Sequence, residues 1–317
     1  MTVSGNSQQS ATVEILEVGP RDGLQNEKVV FSTADKLRMI NGAIAAGVRR
    51  IEVASFVHPR RVPQMADAED VIAGLDDRKD MTYIGLILNK RGLLRAFATR
   101  EGNKRGIDEV GCVAIASDTF ADKNQGQTSQ ESVDITKDMI RMAKAEGMSA
   151  QATISASFGC PFEGRVDQNR VVAIAESIAE AQPREIAIAD TIGVGSPLRV
   201  TELISKIRER LPDMPLRAHF HNTRNTGLAN AWAAYEAGVV TLDASVAGLG
   251  GCPFAPKATG NIGTEDLLYL LHESGVTTAV DLDEMIKLAN WAETVLGRTP
   301  PAMVSQAGGF PVPEATT

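Results

Sequence analysis

Cysteine is scarce in this 317-residue chain, and the three present, Cys112, Cys160 and Cys252, are odd in number and widely spaced. No Cys-x-x-Cys pair exists, which excludes a zinc knuckle and a disulfide scaffold and fits a reducing, cytoplasmic setting. Positive charge is not in excess either, since the formal net charge is −8. A nucleic-acid or anionic-membrane partner calls for basic patches, so neither is expected. No apolar run reaches the roughly 20 residues that a membrane span needs. The first residues lack the basic and apolar regions of a signal peptide, and the last carry neither a peroxisomal nor a lipidation signal. Residues 1–12 and 301–317 are read as tails around one domain at 13–300. Beyond a βα alternation there is no internal repeat and no low-complexity segment.

That alternation is the main positive signal. An apolar fraction of 43 % suffices for a sizeable core. Candidate strands are Val13–Val18, Arg50–Ala54, Tyr83–Leu88, Gly111–Ala116, Ala150–Ser155, Glu185–Ala189, Leu216–Phe220 and Thr241–Ser245. Between them lie helically spaced stretches such as Ala34–Ala46, Gln130–Glu146, Asn169–Ala181, Pro197–Arg210 and Gly227–Ala237. Gly47, Gly147 and Gly238 stand where a left-handed helix terminator belongs. The pattern predicts an α/β fold, a (β/α)8 TIM barrel with a short C-terminal helical extension, with an open doubly wound sheet as the competitor. The barrel is favoured because polar residues gather at the C-terminal ends of successive strands, where barrel active sites are built. Arg21 and Asp22 follow the first strand, Glu52 lies in the second, Asp190 follows the sixth and His219 and His221 close the seventh.

Only four histidines exist, and two form His219-Phe220-His221. Residues i and i+2 of a strand share a face, so both imidazoles would converge on one point as metal ligands. The plainer reading is a pair of hydrogen-bonded histidines at a strand end. Gly19-Pro20-Arg21-Asp22-Gly23 places a cation beside a carboxylate at the rim, although a surface ion pair would look the same. Gly248-Leu249-Gly250-Gly251-Cys252-Pro253 matches neither GxGxxG nor a Walker loop. It reads as a flexible connector or as the carrier of a reactive thiol. Thr264 is a candidate N-cap ahead of Glu265 and Asp266. Cys112 reads as core, Cys160 as a loop residue near the mouth, and His58 and His272 as solvated.

The segments GPRDGLQNE, IEVASFVHPRRVPQMAD, ASFGCPFEG, ADTIGVGSP, HFHNTRNTGLAN and SVAGLGGCPFAPKATGNIGTEDLLYLL together resemble the hydroxymethylglutaryl-CoA lyase family. They spread from about residue 13 to 271, in the family's order. Arg-Asp-Gly with His-x-His alone would indicate only the wider group containing isopropylmalate and homocitrate synthases. The resemblance implies that Asp22, His219, His221 and Asn261 bind a divalent cation, Mg2+ or Mn2+. Oxygen and imidazole donors without thiolate suit those ions better than structural zinc.

By the same resemblance Arg21 is an electrophile beside the metal, and Cys252 is a proton donor on a loop that closes over substrate. Glu52 and Asp190 support the metal and Arg21, and His219 or Asp22 is the base. Substrate contacts fall on Arg21, Gln25, Lys123, Asn124 and Arg224. The implied reaction is cleavage of a 3-hydroxyacyl-CoA, foremost 3-hydroxy-3-methylglutaryl-CoA to acetyl-CoA and acetoacetate, by a cytoplasmic homodimer. The sequence departs from the family's HxHDTYGQ at Asn222, Arg224 and Asn225, and carries Asp118 where Glu is usual. These departures bear on the acyl group and keep another substrate, such as citramalyl-CoA, in view. A Claisen-condensing synthase ranks lower, and a non-catalytic sensor lower still.

Overall fold

In the computed structural model, which describes residues 12–251 and 260–311, eight parallel strands close into a barrel in sequence order. The strands are β1 (Glu14–Glu17), β2 (Arg50–Ser55), β3 (Thr82–Ile87), β4 (Glu109–Ile115), β5 (Ser149–Ser155), β6 (Ile186–Asp190), β7 (Leu216–Phe220) and β8 (Thr241–Ala244). Closure comes from β1 pairing with both β2 and β8, with Leu16 opposite Asp243 and Glu17 opposite Ala244. The open doubly wound alternative is thereby excluded.

Helices cover the outside, and local chemistry explains their ends. The helix Ser129–Ala145 starts with a reciprocal cap: Thr128 Oγ1 accepts the Glu131 N–H at 3.1 Å, and Glu131 Oε2 accepts the Thr128 N–H at 2.7 Å. Gly47, Gly147 and Gly238 have φ of 110°, 65° and 89°, the left-handed conformation expected of them. One reading needs correction. The cap of the helix Thr264–Glu273 is Gly263, not Thr264. Thr264 is the first helical residue, and its hydroxyl donates to buried Glu17 Oε2 at 2.6 Å instead of closing its own helix. Within the stretch read as a C-terminal tail, Val304–Ala307 forms a further helical turn, and Asp266 accepts the N–H groups of Met303 and Val304. No described helix is long and apolar enough to cross a membrane.

The large apolar core lies between strands and helices, contributed by residues such as Ile51, Val53, Ile154, Ile188, Leu203 and Leu242. The barrel's interior is different. A small cluster, Leu16, Val18 and Ile84, stands apart from that core, and Leu86, Val113 and Ile115 line the cavity. Ionic side chains lie beneath. Buried Arg50 donates to Glu109 Oε1 at 2.6 Å, to Glu185 Oε1 at 2.9 Å and to Glu14 Oε2 at 3.0 Å. Above it, Arg217 meets Glu185 and Asp243. A buried charge persists only when paired, and each of these is.

Candidate metal centre and active site

The chain leaves β1 in a single wide turn, Gly19–Gly23, where the Gly23 N–H reaches back five residues to the Val18 carbonyl at 3.1 Å. Such π turns recur at functional sites. Both bracketing glycines are required by close approach. A Cβ on Gly19 would fall 2.6 Å from Glu17 Oε1, and one on Gly23 would fall 2.6 Å from Ser245 Oγ. The turn brings Arg21 and Asp22 over the barrel mouth, and both remain partly exposed to the cavity there.

Arg21 is clamped by two carboxylates. Its Nε donates to Glu52 Oε2 at 2.7 Å and its Nη1 to Asp22 Oδ1 at 2.5 Å. Burial alone would favour loss of its proton, but Asp22 and Glu52 outweigh that, so the guanidinium is firmly charged. Burial likewise pushes the Asp22 carboxyl up, yet Arg21 and the imidazoles of His219 and His221 hold it well below the usual carboxylate range. Asp22 Oδ2 lies 3.8 Å from His219 Nε2 and 3.9 Å from His221 Nε2. The donor atoms of these three residues are all within 4.8 Å of one another. They face one another without being hydrogen-bonded, as ligands of one ion do.

Asn261 completes the arrangement. Its Nδ2 donates to Asp22 Oδ2 at 2.9 Å and to the Leu249 carbonyl at 3.0 Å, which turns Oδ1 the other way, buried and without a partner. The amide packs on the Asp22 carboxylate beside two imidazoles while its oxygen is left buried without a partner, and a mixed O/N set of this kind suits Mg2+, Mn2+ or a similar ion. His221 is driven down to about 4 by burial and by its neighbour His219, so it is a neutral donor at pH 7. Burial also disfavours a charged His219, but its Nδ1 lies 2.9 Å from Asp243 Oδ2, and that bond and charge raise its pKa overall.

These groups stand on the floor of a cavity of about 1190 Å3, whose wall includes Gln25, Lys123 and Asn124. Its rim carries exposed Arg61 and Arg91 besides Lys123. Two expected residues lie elsewhere. Asp190 ends β6 on the outward-facing side, and its carboxylate accepts the Val194 and Gly195 N–H groups at 2.9 and 2.7 Å. Arg224 is turned away from the cavity wall and donates to the carbonyls of Ile192 and Gly193 at 3.0 and 2.9 Å. Both therefore shape the loop after β6. Strand alternation is the reason for Asp190, because its neighbours Ala189 and Thr191 take the inward positions. Cys252 falls outside the described residues, whereas the loop leading to it is anchored by Asn26 Nδ2 on the Gly251 carbonyl at 2.9 Å.

A pattern of the HMGL-like family matches residues 12–292. The chain belongs to the HMGL-like family. It is similar to an (R)-citramalyl-CoA lyase of Chloroflexus aurantiacus, 41 % identical over 306 residues that cover 93 % of this chain and 95 % of that protein. A hydroxymethylglutaryl-CoA lyase of Bacillus subtilis is 39 % identical over 290 residues, covering 92 % and 95 %. The solved structure of an HMG-CoA lyase from Acinetobacter baumannii in complex with coenzyme A and 3-methylmalate superposes with a TM-score of 0.88 at 37 % identity, over 95 % of this chain and 98 % of that one. An enzyme of lyase type with a divalent-metal site follows from this membership together with the donor cluster.

Sequence reasoning missed Asp243 and Arg217. Arg217 was within reach of strand periodicity, because it is i−2 from His219 and shares its inward face. The remaining histidine and cysteine readings divide. Cys112 is buried core, its thiol pushed up by burial. Cys160 lies on the loop after β5, as read, and is buried there, where it accepts a hydrogen bond from Ser117 Oγ at 2.9 Å. His58 is exposed at the cavity wall, whereas His272 is only partly exposed and its Nε2 pairs with Thr278 Oγ1 at 2.7 Å.

Proposed function

We propose that this enzyme cleaves the C2–C3 bond of a 3-hydroxyacyl-CoA, with citramalyl-CoA as substrate and acetyl-CoA and pyruvate as products. The observation that carries the lyase reading is a permanently charged Arg21 held 2.5 Å from Asp22, which faces two imidazoles and accepts from the Asn261 amide. The longer and slightly closer match to the Chloroflexus protein supports citramalyl-CoA. Hydroxymethylglutaryl-CoA, one methylene longer, is the second reading, supported by the Bacillus protein. The basic rim of Arg61, Arg91 and Lys123 suits the phosphates of CoA on an otherwise acidic chain.

Asp22, His219, His221 and Asn261 would hold the cation, Mg2+ or Mn2+. Bound there, it would orient the substrate oxygens and make the 3-hydroxyl more acidic. The hydroxyl proton goes to a base of this cluster. Asp22 is the acceptor that fits, because His219 has Nδ1 on Asp243 and Nε2 committed to the cation, which leaves it no free nitrogen. As C3–O becomes a carbonyl, the C2–C3 electrons move onto the thioester, and Arg21 stabilises the enolate oxygen. Cys252 returns a proton to C2, a role that suits a thiol near working pH.

The test is acetyl-CoA release from both acyl-CoAs with Mn2+ present. Discrimination by one methylene is worth about 10–200-fold in kcat/KM, and that preference is expected for citramalyl-CoA. The reverse preference would select the second reading, and release from neither would overturn the lyase reading. Cys252→Ala is expected to lower kcat by about 10²–10⁴ with little change in KM.

A further inference from the structure

Beneath the donor cluster runs a continuous line of buried ionic contacts. Arg217 on β7 is 4 % exposed, and its guanidinium is shared among three strands. Nε lies 2.9 Å from Glu185 Oε1 just before β6, Nη2 donates to Thr153 Oγ1 on β5 at 3.0 Å, and Nη1 donates to Asp243 Oδ2 on β8. That same Oδ2 faces His219 Nδ1 at 2.9 Å. The Asp243 carboxylate is itself only 3 % exposed, and its second oxygen has no partner. Nothing except Arg217 and His219 therefore fixes its rotation among the hydrogen bonds of the described residues.

We infer that Arg217 is a positioning residue for the metal centre: by holding Asp243, it orients the His219 ring with Nδ1 protonated and Nε2 toward Asp22. The inference rests on the metal reading above. The physical reason is geometric. A carboxylate on the far nitrogen of a ligating imidazole fixes both tautomer and ring plane, and its loss typically weakens metal binding 10–100-fold. Here the carboxylate depends in turn on a guanidinium locked from three sides. Asp243 cannot swing away without stripping Arg217 Nη1 of its carboxylate in the barrel interior and leaving Glu185 as its remaining anion, and that cost ties the two side chains together.

The alternative is that Arg217 only ties β5 to β8 and matters for stability alone. Mn2+ dissociation constants and thermal midpoints for wild type, Arg217→Met, Asp243→Asn and the double variant separate the two. Each single variant is expected to bind Mn2+ about 10–100-fold more weakly. The double variant should bind no more weakly than Asp243→Asn, because both act through one contact. A folded Arg217→Met protein that binds Mn2+ like wild type, or losses that multiply in the double variant, would overturn the inference. Where Arg217→Met does not fold, ¹⁵N NMR of the wild-type His219 ring still decides, since protonation at Nε2 rather than Nδ1 refutes the arrangement. If wild type itself bound no Mn2+, the metal reading would fail first and this inference with it.

Discussion

Arg21 has two anionic partners on one side and an open cavity on the other, an unusual position for a guanidinium so well neutralised. A residue needed only for folding would be buried completely. The charge is instead held ready for a negative charge that develops in the cavity. Arg21→Gln is expected to lower kcat by about 10²–10³, the usual effect of removing one donor to a developing oxyanion. Arg21→Lys should recover little, because one ammonium cannot bridge Asp22 and Glu52 while facing substrate. Steady-state kinetics check both, and a KM effect without a kcat effect would show that Arg21 merely binds. At this scale, what the sequence displayed were the residues with distinctive chemistry in short motifs: Arg21, Asp22, His219, His221 and Asn261. Asp243 was obscured by its setting in Thr241–Ala244, where one acid in a short strand looks like an edge polar residue. Asp190 and Arg224 show the opposite failure. Their chemistry suited the site, but side-chain direction, which motifs do not encode, sends them to a neighbouring loop.

Among the elements, the junction that carries the Gly-rich loop rests on two buried carboxyls. Glu17 accepts the N–H groups of Gly19 and Val246 at 2.7 and 2.9 Å, and Glu265 accepts that of Ala247 at 3.1 Å. They thereby fasten the Arg21 turn and the base of the Gly-rich loop to the helix Thr264–Glu273. Burial raises Glu17 from 4.5 to about 7 and Glu265 from 4.5 to about 8. Between roughly pH 4.5 and 8 the folded protein therefore keeps protons that the unfolded chain has released. Their contribution to stability is full below that window and is lost as pH rises through it. Glu17→Gln and Glu265→Gln cannot ionise, so each is expected to flatten the fall in urea-unfolding free energy across these pH values, by the order of 3 kcal/mol for Glu17. Curves that stay parallel to wild type would contradict it. The strands and caps themselves were legible from β-branched runs, glycine terminators and acidic first turns. The π turn was not, because the glycines that permit it are demanded by the approach of Val246 and Ser245, which arises only when the barrel closes.

For the molecule as a whole, the barrel interior couples stability to the site. Arg50 at the floor shares Glu185 with Arg217, which leads through Asp243 to His219. Arg50→Met would leave Glu109 and Glu185 short of positive charge in a closed interior, where breaking one partner of a buried pair costs about 3–5 kcal/mol. Denaturant unfolding should show that loss, and a variant as stable as wild type would mean that water or another group compensates. Fold class was readable from the βα alternation and from where the polar residues fell. The ionic filling was not, because isolated Arg50, Glu109 and Glu185 look like surface charges until eight strands bring them together.

The most direct measurement is acetyl-CoA release from citramalyl-CoA and hydroxymethylglutaryl-CoA by chelator-treated enzyme, with Mn2+ then restored, for wild type and His221→Ala. Activity that disappears on chelation, returns with Mn2+ and stays lost in His221→Ala is the expected result. Full activity without a divalent cation, or an undiminished His221→Ala enzyme, would contradict the assignment of Asp22, His219, His221 and Asn261 as the metal centre of this lyase.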